Sequence, residues 1–194
     1  TASENTAVGR SALGANTTGS YNTALGINSL TTNTTGANNV ALGRKALNTN
    51  STGSTNTAVG DSALFGNTTA SNNTAVGRAA LQTNETGTAN VAVGANALDA
   101  NTTGAGSVAI GYEALTASTT GGQQVAIGYR ALKTTTTNED NVAIGYEALE
   151  ACTSGKNTAV GWNAIKTDSG AVYCTAVGYD ALAHQTGTRS HNTA

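Results

Sequence analysis

The sequence has no proline and no methionine, and only one tryptophan, one phenylalanine and six tyrosines in 194 residues. With aromatics at 4% there are too few large side chains to fill a conventional globular core, so the fold must be thin. Charge is also scarce: nine Lys and Arg stand against eleven Asp and Glu, for a net charge of −2. That balance leaves no basic footprint, so neither nucleic acid nor an anionic membrane surface is expected as a partner. No apolar run approaches the roughly eighteen residues of a membrane span, and Thr1 to Leu13 lacks the basic start and apolar stretch of a signal peptide. No membrane insertion is therefore expected, and the lack of methionine reads as a fragment of a longer protein. The only cysteines, Cys152 and Cys174, are too few for a disulfide framework. With His184 and His191 they make no zinc ligand set, so neither a metal nor a cofactor is expected.

The chain is instead rich in repetition. Asn5-Thr6-Ala7-Val8-Gly9 recurs as Asn22-Thr23-Ala24-Leu25-Gly26 and Asn39-Val40-Ala41-Leu42-Gly43, each seventeen residues after the last. The period continues through Asn56, Asn73, Asn90, Ser107, Gln124 and Asn141, shortens to sixteen at Asn157, returns at Cys174 and stretches to eighteen at Asn192. One unit reads N-T-A-[VIL]-G-x-x-A-L-x-x-N-T-T-G-x-x. It is too short for a helical hairpin, and Asn, Thr and Gly are poor helix formers, which excludes helical solenoids. The expected fold is all-β: a parallel β-solenoid of seventeen-residue coils, about eleven of them, forming one domain over residues 1–194.

Aligning the coils predicts which residues stack. Val8, Leu25, Leu42, Val59, Val76, Val93, Ile110, Ile127, Ile144, Val160 and Val177 form one apolar column, with alanine neighbours on the opposite side of an extended strand. Leu13, Leu30, Leu47, Leu64, Leu81, Leu98, Leu115, Leu132, Leu149, Ile165 and Leu182 form another, which predicts two strands per coil. The core is expected to take one residue from each column per coil. Gly9, Gly26, Gly43, Gly60, Gly77, Gly94, Gly111, Gly128, Gly145, Gly161 and Gly178 predict a corner with positive φ or close backbone approach. Asn16, Asn33, Asn50, Asn67, Asn84 and Asn101 predict an amide ladder. Cys152 and Cys174 fall where most coils have asparagine, so both read as buried thiols. Glu113, Arg130 and Glu147 alternate in one column and Lys133, Glu150 and Lys166 in another, which predicts pairing between coils. So small a core per coil is expected to be marginal alone, and the alanine columns offer a surface for close approach of further copies around a cyclic axis.

Ser107-Val108-Ala109-Ile110-Gly111, Gln124-Val125-Ala126-Ile127-Gly128 and Asn141-Val142-Ala143-Ile144-Gly145 resemble the head repeat of YadA-type trimeric autotransporter adhesins. The longer unit, with Ala-Leu after the glycine and Asn-Thr-Thr-Gly before the next strand, is still more similar to the YadA-like repeats of bacteriophage tail fibres. The resemblance covers nearly the whole chain. It implies a left-handed parallel β-roll in which three chains wind side by side, that is, a homotrimeric fibre. It further implies a place in a virion tail fibre, with other fibre or virion proteins and a host cell-surface glycan or protein receptor as partners. The alternatives are the head of a bacterial adhesin, extracellular on the cell surface, and a structural filament without ligand.

Candidate chemistry is sparse. The residue after the glycine corner becomes aromatic in the second half, at Tyr112, Tyr129, Tyr146, Trp162 and Tyr179, a ladder suited either to stacking on sugar rings or to stapling coils together. Thr18, Thr35, Thr52, Thr69, Thr86, Thr103, Thr120 and Thr137 align beside a second threonine column. Adjacent residues face opposite sides, so two outward rows of the ice-binding kind are not expected, and hydroxyl capping of the backbone is. No catalytic residues are expected: His184 and His191 have no regular place in the repeat, and no nucleophile recurs beside them. Glu139-Asp140 reads as a solvated loop pair.

Overall fold

The structure is a computed structural model and describes residues 2–185 and 190–194. Eleven three-residue strands, one per coil, make a single parallel sheet: Thr6–Val8 (β1), Thr23–Leu25 (β2), Val40–Leu42 (β3), Thr57–Val59 (β4), Thr74–Val76 (β5), Val91–Val93 (β6), Val108–Ile110 (β7), Val125–Ile127 (β8), Val142–Ile144 (β9), Thr158–Val160 (β11) and Thr175–Val177 (β13). Each strand pairs only with those of the adjoining coils, in register, so that Ala24 lies beside Ala41 and Ala41 beside Ala58. The sixteen-residue unit does not slip the register, since Ala143 still pairs with Ala159. No helix occurs among the described residues. The chain is thus an all-β parallel solenoid with about seventeen residues per turn, as the repeat predicts. The eighteen-residue unit before Asn192 runs through 186–189, outside the described residues.

Which face of the strands points inward differs from the expectation. Ala24, Ala41, Ala58 and their equivalents are wholly buried, whereas the Val/Ile/Leu column one residue further along each strand faces outward, with Leu25 50% and Ile110 38% exposed. The interior beneath the sheet is narrow enough to be filled by methyl groups, so the larger side chains take the outside. The buried core is built from the strand alanines, a second alanine column and the leucine column from Leu30 to Leu149, closed by Ile165.

The leucine column does not sit on a second strand through most of the rod. Ala46 N–H donates to the Gly43 carbonyl at 3.3 Å and Asn50 N–H to the Leu47 carbonyl at 3.4 Å, so the segment after the glycine is two successive tight turns. Leu47, Leu64 and Leu81 have φ of 52, 50 and 51°, and the whole column lies between 44 and 54°. This left-handed conformation costs an ordinary side chain about 1–2 kcal/mol. It persists because the fully buried side chain and a bond to the next coil, such as Leu47 N–H to Ala63 O at 2.9 Å, fix it together. The turns let adjacent Ala and Leu both point inward, which a strand forbids. Only near the C-terminal end do short strands Ala151–Cys152 (β10), Thr167–Asp168 (β12) and His184–Gln185 (β14) pair into a second sheet.

The glycine corner satisfies both of its expected reasons. Gly94 has φ of 136°, and a Cβ there would lie 2.4 Å from the Gly111 carbonyl oxygen of the following coil. The amide ladder is also present. Asn50 Nδ2 donates to Asn33 Oδ1 at 2.9 Å and Asn67 Nδ2 to Asn50 Oδ1 at 2.8 Å, and each amide also bonds a carbonyl of its own coil three residues on. A second ladder, which the sequence reading did not anticipate, runs through the asparagines that open each unit. Asn56 N–H donates to Asn39 Oδ1 at 2.9 Å, and Asn56 Nδ2 donates to Ala70 O at 2.9 Å, the same carbonyl that Asn67 Nδ2 reaches at 3.0 Å. The two ladders therefore converge on one carbonyl per coil and satisfy the polar half of the interior.

Candidate functional site

Because the strand alanines face in, the residues flanking them face out, and the sheet's outer surface carries an apolar stripe along the whole array. Val8 and Val177 at its two ends are 55% and 62% exposed. Beside it, Val91, Val108, Val125 and Val142 add a second, partly buried apolar column, joined by Val40, where the remaining coils carry threonine. Contiguous exposed apolar surface is the kind of surface that proteins use for interaction.

The five expected aromatic residues come together as one stack. Ring centres are 5.5 Å apart from Tyr112 to Tyr129, 5.0 Å to Tyr146, 4.0 Å to Trp162 and 6.4 Å to Tyr179, with all planes within 17° of parallel. The faces of Tyr129, Tyr146 and Trp162 are therefore covered by neighbouring rings, and the Arg130 guanidinium lies 4.9 Å from the Tyr129 ring centre. A sugar that stacks on an aromatic face needs a free face, and the inner rings offer rims.

Charges pair between coils, although across columns as well as along them. Glu113 accepts from Arg130 Nε at 3.0 Å and from Lys133 Nζ at 2.9 Å, while Lys166 bonds Glu147 and lies 3.8 Å from Glu150. The Lys133 hydrogen bond, aided by Tyr112 and Arg130, holds the Glu113 carboxyl below its usual range. Lys166 does the same for Glu147, and that pairing lifts the ammonium in turn. On another surface the inner threonine column caps backbone as expected: Thr34 Oγ1 donates to Ser51 O at 3.0 Å and Thr102 Oγ1 to Thr119 O at 3.1 Å. Its outer neighbours, Thr18 through Thr137, are exposed.

The regular interior changes at the short coil. Cys152 and Cys174 are buried and form no disulfide. Burial pushes the Cys152 thiol up to about 11, which leaves it protonated and unreactive near neutrality. Asp168 occupies a ladder position and is 2% exposed, its carboxylate accepting from the Ser154 hydroxyl and from Ala171 N–H at 2.8 Å. The Ser154 carbonyl also replaces the usual glycine carbonyl, accepting from Asn141 Nδ2 at 3.1 Å. The residue missing from this coil is therefore the one that would follow Thr137 in the outer threonine column, and next to the gap a surface cavity of about 320 Å³ opens between residues 137 and 173. The sequence signal was the single sixteen-residue spacing between Asn141 and Asn157. Compared with family models, curated proteins and solved structures, the chain matches none.

Proposed function

We propose that this solenoid is the shaft and host-attachment segment of a homotrimeric fibre of the virion tail type, three left-handed rolls packed side by side. The observation that carries the reading is the outward apolar column from Val8 to Val177, which a lone chain leaves partly in water. The choice of three chains is supported by the Val-Ala-Ile-Gly strings, which resemble trimeric fibre and adhesin repeats. Rigidity comes from main-chain bonds between coils all round the turn, and attachment from weak contacts multiplied over three chains. The covered faces of the aromatic stack favour a structural part for those rings, joining coil to coil, which also fits a filament whose ligand sites lie elsewhere.

Sedimentation equilibrium on the purified segment tests the assembly. A mass near three times the 19.1 kDa chain is expected. A stable single chain would remove the basis for the fibre.

A further inference from the structure

We infer that the cavity beside the short coil is a binding site for one pyranose unit, neutral or amino-bearing, of a surface glycan. The inference rests on the attachment reading above and gives it a location. Elsewhere the threonine side of the rod is an even row, with one exposed threonine per coil from Thr18 to Thr137. Here the sixteen-residue coil omits that threonine, and the following coil has Gly170 in its place, with open space where a side chain would stand. Gly155, also without a side chain, forms the floor.

The cavity's volume of about 320 Å³ lies at the lower end of the roughly 300–1,000 Å³ range of small-molecule sites, the size for one sugar ring rather than a long chain. Its lining is mixed in the way a sugar needs. Glu139 and Asp140 on one wall are exposed, and neither makes an ion pair among the described residues. Both carboxylates are open to accept from vicinal hydroxyls, and charged acceptors make the stronger hydrogen bonds. Opposite them, Val172 supplies methyl groups and Tyr173 a ring held in place. One face of that ring stacks on His191 at 5.0 Å between centres and Lys156 Nζ lies over the ring at 5.5 Å from its centre and 3.4 Å from the Tyr173 hydroxyl, so the ring presents its edge. The Val172 methyl groups facing two carboxylates, with one ammonium to donate to a ring or hydroxyl oxygen, suit a sugar's C–H face and its diol edge. Two carboxylates to one ammonium disfavour acidic sugars.

The test titrates the assembled segment with the methyl pyranosides of glucose, galactose, mannose, glucosamine and N-acetylglucosamine, with methyl glucuronide as acidic control, by saturation-transfer NMR and calorimetry. Two variants accompany the native chain: Glu139→Gln with Asp140→Asn, and a threonine inserted between Thr153 and Ser154 that restores the seventeen-residue coil and fills the gap. At least one neutral or amino pyranoside is expected to bind the native segment, at least tenfold more weakly to both variants, with no binding of the glucuronide. No binding, equal binding in the carboxylate variant, or preference for the glucuronide overturns the inference. Should the insertion alter the fold, the carboxylate variant decides alone. Failure here leaves the mass measurement untouched, so the site can fall while the fibre stands.

Discussion

Single residues in this solenoid act through their copies in neighbouring coils, and the two amide ladders show the consequence of changing one copy. The ladder from Asn16 stops at Asn101, whose Oδ1 is buried without a donor because the next coil has Ser118. Gln124, one methylene longer than the asparagine usual at its own ladder position, reaches toward the gap, with Nε2 3.5 Å from Ser118 Oγ. A short residue in one ladder is thus offset by a long one in the other. Ser118→Asn alone would meet that glutamine and gain little, whereas Ser118→Asn with Gln124→Asn would continue both ladders and give Asn101 Oδ1 its donor. Because a buried unpaired acceptor costs about 1–3 kcal/mol, the double variant is expected to be more stable than the native chain by about 1–2 kcal/mol. Urea denaturation of the two single variants and the double variant measures this, and additive effects would contradict the coupling.

At the scale of the coil, the carboxylates between turns add stability that depends on pH. Glu147 titrates below its ordinary value of 4.5 in the folded chain because Lys166 bonds it. Its contribution is therefore complete above that value and fades as pH falls through the lower folded one. Glu147→Gln is expected to lower stability by about 1 kcal/mol or less at neutral pH and to match the native chain near pH 2, as read from thermal midpoints at both values. The coil also shows why the sequence reveals some features and hides others. Period, register, glycine corner and the Asn16 ladder follow from alignment of the units, since each needs only that equivalent residues stack. The inward face of the strand does not follow from alternation, which defines two sides without saying which is inside. The relevant clue was that the middle strand residue is alanine from Ala7 to Ala176 while its flanks vary among Thr, Val, Leu and Ile. Likewise Ala46 and Leu47 are adjacent and both buried, a pattern that argues for a turn, but the left-handed backbone of Leu47 runs against what leucine prefers. The cavity lies over Gly155 beside the short coil, and the change of spacing was the signal the sequence offered for it.

For the whole molecule, the decisive question is what covers the outer face of the eleven-stranded sheet. Ile110 and Ile144 are each 38% exposed in the single chain, while the alanines behind them are wholly buried. Glutamate at both positions therefore leaves each coil's interior intact and changes only the outward column. If copies meet there, each glutamate would be taken out of water without a partner, which costs several kcal/mol per charge, repeated in every chain. Ile110→Glu with Ile144→Glu is expected to abolish the threefold mass in sedimentation equilibrium, leaving chains of 19.1 kDa with a thermal midpoint below that of the native assembly. Thr69→Glu with Thr103→Glu, on the exposed threonine column, adds the same charge elsewhere and should leave the mass unchanged. Were the isoleucine pair to remain assembled and the threonine pair to dissociate, the contact between chains would lie on the threonine side. The cavity beside Glu139 would then be covered by a neighbouring chain, and a sugar could not reach it.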